Sequence, residues 1–495
     1  MIQEAISMVL FSPTCLFLIL AGVVIGIIFG SIPGLSSTMA LILFLPMSFG
    51  MSPMNGIALL IGLYLGGMSG GLISAILLKI PGTPSSIATV FDGGPMADNG
   101  EAGRALGVGI LTSFVGSLIS IFALMFISPY LAKVTLAFTS AEYFSIAVFA
   151  LTIISSLSGK SLLKGILAGL FGIILATVGI APVDGYIRFT FGNSHLYGGF
   201  EIAVILIGLY AVTDIIRTGF ERQSIVTNAK PYEYNLKGYG ISIREYLSHI
   251  RNVIQSALIG LGIGILPGIG GSTASLLAYT AAKGSSKHPE KFGTGIVDGI
   301  IASETSNNAV IGGSLIPLIT MGIPGNVATA IFLGGLTIHG IAPGPLIFEK
   351  SGAYVYGIFV ALLVANVFML ICERAGLRIF VKLLDIPKYI LLPAVMVCCI
   401  VGAYCANFSI FDVWSVAAFG IIGILFRIFE IPATPLIIGF ILGGMTEENL
   451  RQALMQSGGS WSIFVTRPIS LAFLIIALLS VLMKIRQYKK KGVAN

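Results

Sequence analysis

The feature that most constrains this chain is the recurrence, from one end to the other, of unbroken apolar stretches long enough to cross a bilayer. Thr14 to Gly30, Leu106 to Ser128, Ile202 to Ile216 and Leu471 to Met483 are examples. A helical crossing takes about 20 residues, and at that length the chain reads as roughly a dozen crossings. Barrel strands would alternate apolar and polar residues, whereas these runs are continuous, so the expected fold class is an all-α polytopic membrane protein. Composition agrees: 56% of the 495 residues are hydrophobic and 10% charged, too few charges to clothe a soluble domain. The N-terminus MIQEAISMVLFSP has no basic region before its apolar stretch and no small-residue cleavage site, so the first segment is expected to be retained. The five cysteines, Cys15, Cys372, Cys398, Cys399 and Cys405, show neither zinc spacing nor a paired framework. In such a chain the formal charge of +7 reports basic cytoplasmic loops rather than a nucleic-acid partner.

The longest hydrophilic stretch carries Arg217, Arg222, Lys230, Lys237, Arg244 and Arg251 and divides the chain near its middle. Within it, Ile241, Ile243, Leu247 and Ile250 fall near one helical face, the pattern of an interfacial helix. On either side of this linker the sequence repeats itself. Gly30 to Thr38, with Pro33-Gly34 followed by Ser36, Ser37 and Thr38, resembles Gly264 to Thr273, with Pro267-Gly268 followed by Gly270, Gly271 and Ser272. Gly70 to Gly82, ending in Pro81-Gly82, resembles Gly313 to Gly325, ending in Pro324-Gly325, in the same order.

Loop charges indicate that the repeats are inverted. Pro46 to Asn55 has no Lys or Arg, while its counterpart Lys283 to Lys291 has three lysines. Pro129 to Glu142 has only Lys133, while Arg374 to Lys388 carries Arg374, Arg378, Lys382 and Lys388. The sign reverses at the next pair, Ser158 to Lys164 against Ala406 to Asp412. With the linker and the tail Lys484 to Lys491 in the cytoplasm, the positive-inside rule places the N-terminus in the periplasm and the C-terminus in the cytoplasm. The expected organisation is a first inverted repeat over 1–216, the linker with its interfacial helix over 217–252, a second repeat over 253–465, and an added helix with a basic tail over 466–495. Inverted repeats with discontinuous helices are the architecture of secondary transporters. An elevator-type motion follows by analogy alone.

A Pro-Gly break inside an apolar run frees backbone groups that lipid cannot satisfy, so it must line a protein cavity. Helix N-termini after such breaks attract anions, and two of them converging would hold a carboxylate without a buried Arg or Lys. The plainer alternative is that the breaks only kink helices and that small residues permit close packing. Around Pro81, Gly82, Thr83 and Ser85, and around Asn326 in the second half, side-chain and carbonyl oxygens suit a coupling cation or a substrate hydroxyl. In Asp298 to Ala309, the acids Asp298 and Glu304 are candidates for cation coupling, with Asn307 and Asn308 offering donors and acceptors. Na⁺ near Glu304 and Asn308, or a proton, would be the coupling ion; the alternative is a cluster that caps a helix at the interface. No other cofactor is expected.

Enzyme readings are weaker. Ser69 in Gly67-Met-Ser-Gly70 has the small-residue setting of an intramembrane serine hydrolase, but His195, His249, His288 and His339 all fall in predicted loops. No phosphate-binding Gly-x-x-x-x-Gly-Lys-[Ser/Thr] sequence occurs. A non-transporting sensor or assembly component is the other alternative.

Taken in order, Gly30 to Thr38, Tyr64-Leu-Gly-Gly67 through Ile80-Pro-Gly-Thr-Pro84, Asp92-Gly93, Gly100 to Gly107, and Glu304 to Ala309 through Gly322-Ile-Pro-Gly325 resemble the large membrane subunit of the tripartite tricarboxylate transporters over nearly the whole chain. The resemblance implies cation-coupled uptake of citrate or another di- or tricarboxylate across a bacterial inner membrane. It also implies two partners, a small four-helix membrane subunit and a periplasmic solute-binding protein, and admits a homodimer of the complex. By motif, the substrate site would draw on Pro33, Gly34, Ser36, Ser37, Pro81, Gly82, Thr83, Pro267, Gly268, Asn307, Asn308, Pro324 and Gly325, with Glu304 beside it. Ser303, Thr305 and Ser306 stand where the family more often has small apolar residues around the glutamate.

Overall fold

The computed structural model describes residues 1–33, 35–157, 161–220, 239–383 and 388–492. Gly34, Ser158, Arg222, Lys230 and Lys237, named in the sequence readings, lie outside the described residues. Helices dominate: α1 (Ile2–Leu10), α2 (Pro13–Ser31), α3 (Ser37–Ser48), α4 (Pro53–Leu77), α5 (Ile87–Met96), α6 (Ala102–Thr135), α7 (Ser140–Leu157) and α8 (Leu162–Ala176) come first. A two-residue antiparallel pair, β1 (Gly179–Ile180) with β2 (Ile187–Arg188), follows, then α9 (Ile202–Leu206), which runs through a π-turn into α10 (Thr213–Phe220). Beyond the linker come α11 (Ile243–Ser248), α12 (Ile250–Ile265), α13 (Gly270–Ser285), α14 (Val297–Met321), α15 (Val327–Ile338), α16 (Ile347–Lys350), α17 (Gly352–Leu383) and α18 (Lys388–Asn407). The last are α19 (Ile410–Ile428), α20 (Thr434–Gln456), α21 (Ile463–Thr466) and α22 (Pro468–Gly492).

Among the described residues, five helical segments are long and apolar enough to span a membrane: Pro13–Ser31, Pro53–Leu77, Pro84–Thr135, Gly352–Phe380 and Ile410–Ile428. Six shorter apolar helices accompany them, and the chain is an all-α polytopic membrane protein. Helix starts follow local chemistry. The Ser12 hydroxyl accepts from Cys15 N ahead of α2, and Pro13 and Pro53 occupy first-turn positions where no N–H is needed. α14 stops at Gly322, whose left-handed backbone lets its own N–H and that of Ile323 reach carbonyls of the last turn.

Two segments expected as loops are largely helical. α6 continues through Pro129 to Thr135, and α17 runs on to Leu383 past Arg374 and Arg378, because basic residues at a helix end are compatible with helix and only end the apolar part of it. The amphipathic linker segment is helical from Ile243 to Ser248, with Ile243 and Leu247 exposed. Arg104 at the start of α6 is paired there with Glu245 at 2.7 Å.

The chain forms two compact units, each taking a segment from either side of the central linker. Unit 1 comprises Met1–Ala132 and Asp214–Cys405, and unit 2 comprises Lys133–Thr213 and Ala406–Asn495. In unit 1, α2 packs along α4 and α12 along α14. A Cβ at Gly82 would collide with the carbonyl of Gly30, and one at Gly325 would lie 2.5 Å from the carbonyl of Gly264. In each half the glycine after the second proline thus seats on the end of the helix before the first break, a contact that any side chain would abolish. In unit 2, α20 packs between α7 and α8, α22 lies on α7, and α19 packs on the π-turn after α9.

Candidate functional site

α4 and α14 are the innermost helices of unit 1: from Gly56 to Leu77 and from Gly299 to Thr320 every residue is buried. α14 nonetheless carries Ser303, Glu304, Thr305, Ser306, Asn307 and Asn308, all fully buried, so its polar groups must be answered from neighbouring helices. Asn307 Nδ2 donates to the Met68 carbonyl of α4 at 3.1 Å. Asn308 Nδ2 turns back to the Glu304 carbonyl, and its oxygen faces Ser117 of α6. The Glu304 carboxylate accepts from Thr89 of α5 and from Ser113 of α6, the latter at 3.1 Å.

The chain breaks gather around Met68 and Asn307. After the first break, Ser36 caps α3 by accepting from Met39 N, and the Ser37 hydroxyl lies 3.8 Å from the Met68 sulfur. After the third break, α13 starts at Gly270 without a side-chain cap. A Cβ at Gly271 would lie 3.0 Å from Asn307 Oδ1, 3.0 Å from Ser85 Cβ and 3.3 Å from Met68 Cε. Two helix starts from opposite halves therefore meet on one methionine. The second break supplies Ser85, bonded to Thr83 at 3.1 Å. At the fourth, Asn326 caps α15 through Thr329 and donates to the Tyr64 hydroxyl at 3.1 Å, which also pairs with Ser314. The Gly268 N–H donates to the Gly325 carbonyl at 2.7 Å, joining the third break to the fourth.

Two properties make this place a candidate binding site. Among the described residues Asn307 Oδ1 is buried with no hydrogen-bond partner, a costly condition unless a ligand supplies a donor or a cation. Thr38, Gly270, Gly271, Ser272 and Asn326 around it are only partly buried, so the helix starts are not sealed. Residues 31–78, 252–282 and 292–349 contain no Lys or Arg, and the positive potential here comes from backbone N–H groups.

Of the residues singled out in the sequence, Ser36, Ser37, Pro267, Gly268, Gly271, Asn307, Thr83, Asn326 and the Pro324-Gly325 turn belong to this cluster or brace it. Thr273 is exposed. Glu304 and Asn308 sit on the same helix but address α5 and α6. Asp298 stands apart in the first turn of α14, with its carboxylate 2.8 Å from His249 Nδ1 and accepting from Asn252 at 2.9 Å. Asp92, noted above only as part of a motif, accepts from Tyr279 and from the N–H groups of Gly293, Gly295 and Ile296, fastening α5 to the turn before α14. Among the described residues no group of three or more His, Cys, Asp and Glu is arranged to hold a metal.

Sequence reasoning did not single out Met68, Ser113 or Ser314, whose proximity to the breaks is a tertiary matter. It also passed over Glu373. Its position beside Arg374 read as the end of a span, yet α17 runs on for ten residues and Glu373 is fully buried, accepting from Ser69 at 2.9 Å. Ser69 thus faces a carboxylate rather than a histidine.

Residues 16–438 match the family model described as the tripartite tricarboxylate transporter TctA family. The chain is 35% identical over 457 residues, 92% of its own length and 90% of the other, to an uncharacterized 52.8 kDa protein in the TAR-I ttuC′ 3′ region of Agrobacterium vitis. It is 37% identical over 222 residues, 45% of its length and 91% of the other, to an uncharacterized protein in the TAR-II ttuC′ 3′ region of the same organism. No solved structure matches this chain.

Proposed function

Because the chain belongs to the tripartite tricarboxylate transporter TctA family, we propose that it binds a di- or tricarboxylate such as citrate between the starts of α3 and α13 and carries it inward across the bacterial inner membrane. The observation that carries this reading is the meeting of two helix starts, one from each half, at Met68 beside the unpartnered Asn307 oxygen. Backbone N–H groups at Ser37 and Thr38 and at Gly270 to Ser272 hold carboxylate oxygens. Asn307 Oδ1 accepts from a substrate hydroxyl or protonated carboxyl. Unit 1 is the substrate-bearing body in an elevator-type cycle.

Inward movement of an anion opposes the membrane potential by about 2.3 kcal/mol per charge per 100 mV, so uptake needs cotransported Na⁺ or H⁺, and Glu304 is the first residue to which coupling is assigned. The family implies partner subunits; a small four-helix membrane subunit and a periplasmic solute-binding protein that delivers the acid are the ones proposed. Proteoliposomes holding this chain with both partners, given labelled carboxylates under an imposed Na⁺ or H⁺ gradient, test the reading. Gradient-dependent uptake is expected, with Asn307→Ala weakening apparent substrate affinity about 10- to 100-fold. No uptake of any acid by folded, partner-bound protein would refute it.

A further inference from the structure

Glu373 is a fully buried acid that the proposed substrate site does not use. Ser69 Oγ donates to its Oε2 at 2.9 Å, while Oε1 is buried and has no hydrogen-bond partner among the described residues. Ser69 directly follows Met68, whose carbonyl accepts from Asn307, three residues beyond Glu304 on α14, so the two acids are held in one packed region; the groups that contact Glu304 are hydroxyls and an amide. Among the described residues, therefore, neither acid has a cationic side chain paired with it. Two uncompensated carboxylates within electrostatic reach in a water-poor interior are not sustainable, and burying even one as an anion costs several kcal/mol. Acids in such positions inside transporters mark ion pathways.

We propose that Glu373, oriented by Ser69, is a second proton-binding site of the carrier, coupled electrostatically to Glu304. The proton adds to Oε1, the oxygen left without a partner, while Oε2 keeps the Ser69 hydrogen bond. It returns to water when the cycle opens the site to the other side, so one positive charge travels with the anion. Ser69 and Glu304 act on this carboxyl. Of the helices packed along α17, α1 carries Glu4, α2 Cys15, α4 Tyr64, and α16 Glu349 and Lys350, while α6, which touches α17 at Phe114, carries Arg104, Tyr130 and Lys133. On α17 itself Cys372 and Arg374 flank Glu373, and the Arg374 guanidinium lies over the Tyr239 ring.

The proposal rests on the carrier reading, and two measurements separate its failure from that one's. In the first, full-length protein in lipid nanodiscs is treated with an apolar carbodiimide, which reacts with protonated carboxyls in apolar surroundings, and modified peptides are identified by mass spectrometry. Labelling at Glu373 that declines as pH rises is expected; Glu373 left unlabelled where Glu304 is labelled would overturn the proposal. In the second, E373Q with its partners is compared with wild type for proton-driven accumulation and for substrate exchange at equal concentrations. Loss of one coupled proton at about 100 mV lowers the attainable accumulation about 40-fold, while exchange persists. Wild-type accumulation that E373Q leaves unchanged in size and pH dependence would overturn the proposal. Absence of any wild-type uptake would sink the carrier reading, and the labelling would still judge Glu373.

Discussion

Buried acids are treated differently in the two units. In unit 2, Glu142 at the start of α7 is almost fully buried, but its carboxylate accepts from the Thr139 N–H and hydroxyl at 2.7 Å each and pairs with Arg467 at 3.2 Å. In unit 1, among the described residues, Glu304 and Glu373 are hydrogen-bonded only to uncharged groups, and Glu373 leaves one oxygen unpartnered. An acid supplied with a cation and an N–H fastens elements together, as Arg188 with Glu447 and Arg451 with Asp184 also do in unit 2. An acid supplied only with uncharged side-chain donors is held in place but not neutralised, which suits a group whose charge must change or find an ion during function. Unit 1 can do both: Asp92, with three backbone N–H donors and Tyr279, is of the fastening kind.

The sharpest way to break this contrast is Glu304→Gln. Gln keeps the shape and removes the charge, so uptake should fall about 100-fold, with thermal stability in detergent unchanged or raised. A large loss of stability with normal uptake per folded molecule would place Glu304 with the fasteners. The counterpart in unit 2 is Glu142→Gln. It should destabilise by about 2 kcal/mol, read as a lower midpoint in a thermal-shift assay, while substrate affinity stays at the wild-type value.

The smallest effect concerns His249, which lies between α11 and α12. Its hydrogen bond to Asp298 raises it above its ordinary value of 6.5, with Glu245 adding to the rise, and burial and Arg104 opposing it. A group raised by folding stabilises the fold below its unfolded value, and that contribution is lost as pH rises through the higher folded value. The thermal midpoint should therefore fall slightly as pH rises above 6.5, and His249→Asn should remove that slope. A slope that survives the substitution would assign it to other groups.

Much of the fold was legible because lipid leaves few choices: apolar length implies helix, and Pro-Gly inside an apolar run implies a break. The breaks at Pro33, Pro81, Pro267 and Pro324 all end helices as read. Helix lengths were less legible, because Pro129 and the Arg374 to Lys382 run look like loop signals although the helices pass through them. Within the site, Asn307 and Gly271 could be named from sequence, but not that they meet, since they lie on different helices of the second half. Asp298 and Glu304 looked like one acidic group. Six residues along a helix turn them about 240° apart, and one answers His249 while the other faces α5 and α6.

By itself the sequence determined that this chain lives in lipid as helices, that its helices break at repeated Pro-Gly points, and that it belongs among the tricarboxylate carriers. These follow from local rules: hydrocarbon thickness, backbone hydrogen bonding and motif order. Only the tertiary structure decided which helix starts face each other across Met68, which buried oxygens lack partners, and that Glu373 is an interior residue. Those depend on how helices far apart in the chain pack side by side, which no local pattern encodes.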